Sequence, residues 1–378
     1  MALQSYSVSY STDGTSFTAL TNVQNINISI GVSAQLDQIR ASTASIDIRY
    51  PTGYASPITA LKSGTYILVK NNTVPASAYD LWLGKIADVT AQYGIPYVSN
   101  VGQADFLNIT AEGFFADLGR MNGNGYAMAA GTLPSQMTSA GTQTGLSIGW
   151  LGSVTQQGAA TTVSGTWADW LARTALSNNA RLWDGLSTGS YDVAIVSPFN
   201  SAVTEYNFSD TPTGNDQIYD QINFESLSDN YYTQVTISTE SFGSSTVTDA
   251  GASVPYRTYE VNTINASSGQ ATDFANYLLN NYKTPRLAIS SISARAEAQP
   301  SFKLDKLVTG STIANYPGQT ISVTFRGTTY VCIIEGVTMS ATPDGTRFTF
   351  ALSGADLNAY LILGNTTFGT LDNNKLGY

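Results

Sequence analysis

The stretch ASIDIRYP, residues 44–51, alternates with period two: Ala44, Ile46, Ile48 and Tyr50 fall on one face, and Ser45, Asp47 and Arg49 on the other. Such alternation marks a strand with one face on a core and the other toward water, and Pro51 ends it because proline has no N–H to give to a ladder. Similar runs lie at 25–30, 66–70, 80–89 and 106–111. Residues 1–121 therefore read as an antiparallel β unit of about six strands, closed by a short helical turn in GFFADLGRM (113–121).

Residues 122–217 change in character to Gly, Thr, Gln and Ala with few charges, and read as a small intervening mixed α/β domain. A single segment there has helical spacing. In TWADWLARTAL (166–176) Trp167, Trp170, Leu171 and Ala175 recur at i, i+3, i+4 and i+8, with Thr166 as N-cap and Asp169 completing a capping box. The Gly-rich run MNGNGYAMAAG (121–131) reads as a loop or linker.

Strands resume over residues 218–356, with YYTQVTIST and PYRTYEVNTI followed by the strongest helix signal in the chain. Over 270–282, Ala271, Phe274, Ala275, Leu278, Leu279 and Tyr282 make one apolar face, Ser267 and Gln270 a capping box, and Pro285 a stop. Four strands follow: RLAISSISA, QTISVTFRG, TTYVCIIEGVTMSA and TRFTFALSG, the second and third joined across RGTT. The expected second β unit thus carries one amphipathic helix to plug or flank it, and residues 357–378 form a polar, Gly-rich C-terminal extension expected to order only against a neighbouring subunit. LWLGKIADV with FLNITAEG in the first unit echoes CIIEGVTMS with RFTFALSG in the second, each ending in glycine, at Gly113 and Gly354. Either duplication or the sameness of alternating strands produces such an echo.

The chain has 378 residues, 42% apolar and only 12% charged, with a net charge of −10. The apolar share suffices for real cores, while so low a charge suits surfaces covered by neighbours in a large assembly. No cluster of Lys or Arg is present to grip nucleic acid or anionic lipid. The absence of histidine removes Ser-His-Asp and Cys-His nucleophile systems, and a single cysteine, Cys332, removes internal disulfides and multi-Cys metal sites. The first ten residues lack the pattern of a signal peptide, and no apolar run reaches the ~18 residues of a membrane helix, so the chain reads as soluble and made in a cytoplasm.

Three kinds of residue could carry chemistry. Carboxylate pairs able to flank a glycosidic bond are Asp105 with Glu112, Glu205 with Asp210, and Asp220 with Glu225, but none lies in a distinctive motif and 27 acids supply such pairs by chance. Calcium-type ligands occur at Asp13-Gly14, Asp344-Gly345 and SDTPTGND (209–216), yet Asp-Gly is first a hairpin dipeptide and no twelve-residue loop ending in Glu is present. Trp167, Trp170, Trp183 and the tyrosines could form a sugar platform or fill cores. Cys332, in the apolar run YVCII, reads as a buried small hydrophobe, and the Asn27-Ile28-Ser29 sequon as a chance match. No catalytic, cofactor-binding or metal residue is assigned.

The run NVQNINISIGVSAQLDQIRASTASIDIRYPTGYASPITALKSGTYILVKN (22–71), followed by LWLGKIADV, resembles the opening of minor tail proteins of long-tailed bacteriophages. FANYLLNNYKTPRLAISSI, YVCIIEGVTMSATPDGTRFTFALSGAD and LILGNTTFGTLDNNKLGY resemble the far end of the same family. The resemblance covers about residues 20–115 and 218–378. It implies a non-enzymatic tail hub at the virion tail tip, assembled in the host cytoplasm. It further implies two tube-like antiparallel β-barrel domains per subunit and a homotrimer whose six barrels adapt the hexameric tail tube. The implied partners are the tail tube or distal tail protein, the tape-measure protein and tip, fibre or receptor-binding proteins, with DNA only passing through the lumen. The competing reading is a carbohydrate-binding surface adhesin, and a third is a tail-associated glycosidase.

Overall fold

The computed structural model describes residues 6–50, 60–72, 79–92, 105–151, 157–185, 192–196, 207–214, 216–226, 231–239, 242–265, 267–283, 287–298 and 317–354. The chain is mainly β. The first unit contains β1 (Tyr6–Ser11), β2 (Thr18–Leu20), β3 (Val23–Gly31), β4 (Thr43–Tyr50), β5 (Tyr66–Asn71), β6 (Tyr79–Gln92) and β7 (Asp105–Glu112), followed by α1 (Phe114–Arg120). The strands fall where alternation places them: in β4, Ala44, Ile46 and Ile48 are buried.

The middle region comprises β8 (Ala127–Met128), β9 (Gly131–Thr132), α2 (Leu133–Thr144), β10 (Ile148–Leu151), β11 (Gln157–Gly158), β12 (Thr161–Thr162), α3 (Trp167–Ser177), β13 (Arg181–Asp184) and β14 (Val193–Val196). α3 carries the expected capping box between Thr166 and Asp169. α2 was not expected. It buries Leu133, Gln136, Met137 and Ala140 at helical spacing, but one of the four is polar and the rest of the segment is Pro, Ser, Thr, Gly and Gln. Its hydroxyls bond back to the helix itself, as in Thr138 to the Pro134 carbonyl at 3.0 Å, so a sequence that reads as loop satisfies its polar groups inside a helix.

The remainder contains β15 (Asn207–Ser209), β16 (Gln217–Ile218), β17 (Gln221–Ser226), β18 (Gln234–Thr239), β19 (Gly243–Thr248), β20 (Thr258–Thr263), α4 (Ser268–Tyr282), β21 (Leu287–Arg295), β22 (Thr320–Phe325), β23 (Thr328–Thr342) and β24 (Gly345–Gly354). The Ser267 hydroxyl accepts from the Gln270 N–H at the start of α4. The α4 stop expected at Pro285 and the extension 357–378 lie outside the described residues.

The two β units repeat one strand order. In the first, neighbours run β3-β4-β7-β6-β5, and in the second β17-β21-β24-β23-β22, all antiparallel. The match holds at the level of single residues. A bulge skips Ala87 between Ile86 and Asp88 against β7, and another skips Glu335 between Ile334 and Gly336 against β24. Ile86 bonds both ways with Gly64 and Thr65, as Ile334 does with Gly318 and Gln319, and both glycines have left-handed φ, +87° and +93°. The echo read from FLNITAEG and RFTFALSG is therefore a structural repeat. The LWLGKIADV half of it is shifted: Leu81 matches Thr329 rather than Cys332, because the bulge and not the glycine fixes the register.

Two closed, separate barrels were expected; among the described residues, strand pairing closes neither unit. Both belong to one 14-stranded sheet. The cause is the length of β23, whose 15 residues carry β22 on their first half and β3 on their second, from Gly336↔Gly31 to Ala341↔Ile26. Helix α4, expected to plug or flank the second barrel, packs its apolar face on the separate three-stranded sheet β19-β18-β20, giving a third core beside those of the large sheet and of α1–α3.

Gly31 and Gly336 face each other where the units join. Gly31 has φ +81°, and a Cβ on it would sit 2.3 Å from the Glu335 carbonyl oxygen. Gly31→Ala is expected to lower stability by more than Gly145→Ala, which has φ +72° but open space around it and suffers only the ~1–3 kcal/mol of left-handed strain. Equal shifts of the two urea midpoints would show that the strands do not approach this closely.

Candidate functional site

Strand β13, RLWD, is buried along its whole length and has a charge at each end. The Arg181 guanidinium makes a two-pronged ion pair with Glu335, Nε to Oε2 at 2.7 Å and Nη2 to Oε1 at 2.5 Å. Glu335 is the bulged residue of β23, so the extra residue that breaks the ladder is the one turned to meet β13. The Ser353 hydroxyl of β24 also donates to Glu335. Arg181 Nη1 donates to the Asn179 carbonyl and side-chain oxygen at 2.6 and 3.0 Å, Gln35 donates to the same side chain at 3.0 Å, and the Tyr282 hydroxyl of α4 donates to Gln35 at 2.6 Å. One continuous polar chain therefore ties the β3–β4 loop, the middle region, α4 and the second β unit. Burial works against the charge on Arg181, but Glu335 more than offsets it, and the guanidinium is held above its ordinary range.

At the other end of β13, Asp184 accepts from the Ser42 N–H at 2.8 Å and from the Phe115 N–H, in the first turn of α1, at 2.6 Å. The Trp82 indole N–H donates to the Ser42 hydroxyl at 2.9 Å. Burial pushes the Asp184 carboxyl up to about 6, against the lowering effect of these donors. β13 is thus a strut with its arginine in the second unit and its aspartate in the first. Neither residue, nor Glu335, was singled out in the sequence; the available signal was a charge on an otherwise inward-facing apolar strand.

The large sheet turns a polar face to solvent on the side away from its core. Across both units this face carries Asn27, Ser29, Ser45, Asn108, Thr110, Asn223, Ser291, Thr338, Ser340 and Thr349, with the buried Ser293 in the same row and charges of both signs among them, including Asp47, Arg49, Glu225, Arg295 and Arg347. Neighbours bond across strands: Asn108 donates to Asp47 at 2.7 Å, Asn223 to Ser291 at 2.8 Å, and Ser293 and Thr349 share a bond of 2.9 Å. Hydroxyl and amide ladders leave this wall wet but nearly free of net charge.

The residues weighed in the sequence do not converge on it. Asp105 and Glu112 stand at opposite ends of β7, with Glu112 paired to Arg120 at 2.7 Å. Asp220 binds Arg347 at 2.6 Å, while Glu225 is exposed on β17; Asp210 accepts from the Arg326 N–H, and Glu205 lies outside the described residues. Asp13 closes an Asx turn onto the N–H groups of Thr15 and Ser16, which hold its carboxyl well below the usual range. Asp344-Gly345 turns the β23–β24 hairpin, and Asp216 accepts from Thr213 and Asn207. Among the described residues no three of Asp, Glu and Cys gather in a group able to hold a metal. Trp167 and Trp170 pack edge to face at 6.0 Å inside the middle core and Trp183 lies in the main core, so none is a sugar platform. Asn27 pairs with Ser45 and Ser340 within the sheet. Cys332 is buried, and its thiol is pushed up to about 12 by that burial.

No protein-family model matches the sequence, and no curated protein aligns with it significantly. Among solved structures, the 43 kDa tail protein of prophage MuSo2 from Shewanella oneidensis matches with a TM-score of 0.61 at 12% identity, covering 92% of this chain and 98% of that one. A tail protein from Neisseria meningitidis matches with a TM-score of 0.61 at 13% identity, covering 93% and 97%. The E. coli c3393 protein, a type VI secretion component described as similar in structure to the T4 tail proteins gp27 and gp5, matches with a TM-score of 0.50 at 12% identity, covering 89% and 74%. The chain has the fold of these tail proteins.

Two predictions follow the strut. Glu335→Leu leaves the Arg181 charge buried alone and is expected to cost about 3–5 kcal/mol, most of which the double variant Arg181→Met/Glu335→Leu should recover, read by urea denaturation. For Asp184 the folded value, about 6, lies above the 3.8 of a free aspartate, so the folded state holds the proton more tightly. The stability it contributes is complete below pH 4 and falls as pH rises to about 6. Relative to Asp184→Asn, the native chain should gain about 2–3 kcal/mol between pH 7 and pH 4; a constant difference would overturn the assignment.

Proposed function

We propose that the chain is a structural, non-enzymatic hub of a long-tailed phage or phage-derived particle, forming a trimeric ring at the tail tip. The observation that carries this reading is the repeated strand order. Three copies of a chain holding two like units present six similar elements, which is what a trimer needs to meet a sixfold tube. The tail-protein fold over nearly the whole chain supports the same reading.

In this proposal the domains are 1–121, 122–217, 218–356 and the extension 357–378, and the two β units act as the tube-like barrels of the hub. The polar face of the large sheet is the lumen wall. A wall mostly of hydroxyls and amides, within a chain of net charge −10 and with its Arg295 and Arg347 both paired to Asp220, gives phosphates little positive charge to bind, so a genome can pass without being held. The tail tube or distal tail protein stacks above, the tape-measure protein ends nearby, and tip, fibre or receptor-binding proteins attach around the ring. The adhesin reading rests on the hairpin VSYSTDGTSFTAL (8–20), which forms as β1–β2, and on the aromatic content, of which Trp167, Trp170 and Trp183 fill cores.

The test is native mass by light scattering at high concentration, with negative-stain images of the same fraction. A particle of three 40.1 kDa chains with a central hole is expected. A monomer at every concentration, together with glycan binding by the purified chain, would favour the adhesin instead.

A further inference from the structure

Among the described residues the internal repeat leaves two strand edges without partners, and the partner of each is written in the other unit. β3 pairs with the second half of β23. Its counterpart in the second unit is β17, which among the described residues pairs only with β21 and leaves its outer edge open. The counterpart of the second half of β23 is the second half of β6, beyond the Ala87 bulge, where β5 has ended and, among the described residues, only β7 is paired. One chain thus carries a made junction and the two halves of an unmade one. An open ladder edge is a template for a further strand.

Side chains tell the same story. In the made junction Ile28 faces Met339 and Ile30 faces Val337, and all four are at most 5% exposed. The counterparts of Ile26, Ile28 and Val337 are Ile222, Phe224 and Val89, each only half-buried at the open edges though packed against the same core. Large meets small across the gap: Phe224 comes opposite Ala91, where Ile28 meets Met339. On the outer face Asn223 comes opposite Gln92 and Glu225 opposite Thr90, where Asn27 meets Ser340 and Ser29 meets Thr338.

We infer that β17 of one copy pairs antiparallel with the second half of β6 of the next, in the register Glu225↔Thr90, Phe224↔Ala91 and Asn223↔Gln92. The occupant of each open edge is a second copy of this chain, and the contact is head-to-tail, which propagates from copy to copy and closes into a ring where the rotation between copies closes. The copy number, three, rests on the proposed hub; the pairing itself rests on the repeat. The sheet that stays open within one chain is closed by its neighbours.

Cysteine pairs read this register directly. Thr90→Cys/Glu225→Cys places both thiols at exposed positions, and the native Cys332 is buried and does not interfere. Mild oxidation is expected to give covalent dimers and then a closed trimer on non-reducing gels, with Gln92→Cys/Asn223→Cys behaving alike. Thr90→Cys/Asn223→Cys, two residues out of register, should cross-link roughly tenfold less, because diagonal neighbours stand ~7–8 Å apart and a disulfide needs Cβ atoms within ~4.5 Å. A native trimer in which neither matched pair cross-links would overturn this pairing and leave the hub standing. A chain that stays monomeric and unlinked at high concentration would overturn both.

Discussion

The ion pair between Arg181 and Glu335 is where the parts of this chain meet. A carboxylate and a guanidinium taken out of water lose hydration that only close, two-pronged contact offsets. The sequence meets that demand with a bulge in β23, which turns Glu335 inward, and with a short buried strand that delivers Arg181. Around the pair, Ser353, Asn179, Gln35 and Tyr282 use the remaining donors and acceptors. None of these groups can be moved alone without stranding a buried polar atom.

Asp184 sets the same strut on the first unit by other means. Its carboxylate is met by the hydroxyl and N–H of Ser42 and by an N–H at the start of α1 rather than by a cation. The middle region is therefore fixed to the first unit by neutral donors and to the second by a formal charge. Between these fixings the large sheet runs unbroken from β2 to β17, and its outer wall remains a field of hydroxyls and amides.

Much of this was legible in the sequence because alternation reports burial directly. The strands around ASIDIRYP, the α3 capping box and the amphipathic face of α4 all lie where spacing places them. What escaped was whatever depends on distant partners. α2 hides because its polar residues satisfy one another within the helix. The union of the units hides because pairing of β3 with β23 joins residues three hundred positions apart, and no local pattern states which edge a strand will choose. Arg181, Asp184 and Glu335 could have been marked only as charges on inward faces, a sign of a partner but not of its identity. The carboxylate pairs do not gather into a site for the opposite reason: Glu112, Asp210 and Asp220 are each taken up by a neighbour, and Asp105 and Glu112 stand at opposite ends of one strand.

The repeated bulge has a consequence for folding fidelity. Two like units in one chain invite a mistaken assembly in which β3 docks on the edge of β6 instead of β23, since the backbones match. The side chains do not: the bulge of β6 offers Ala87 where that of β23 offers Glu335. In the mistaken arrangement Arg181 would be buried facing a methyl group, with its charge unanswered. A pair that adds little net stability over apolar residues can still discriminate strongly between partners, because what it penalises is the wrong neighbour. The buried salt bridge in this sense distinguishes one half of a repeating chain from the other.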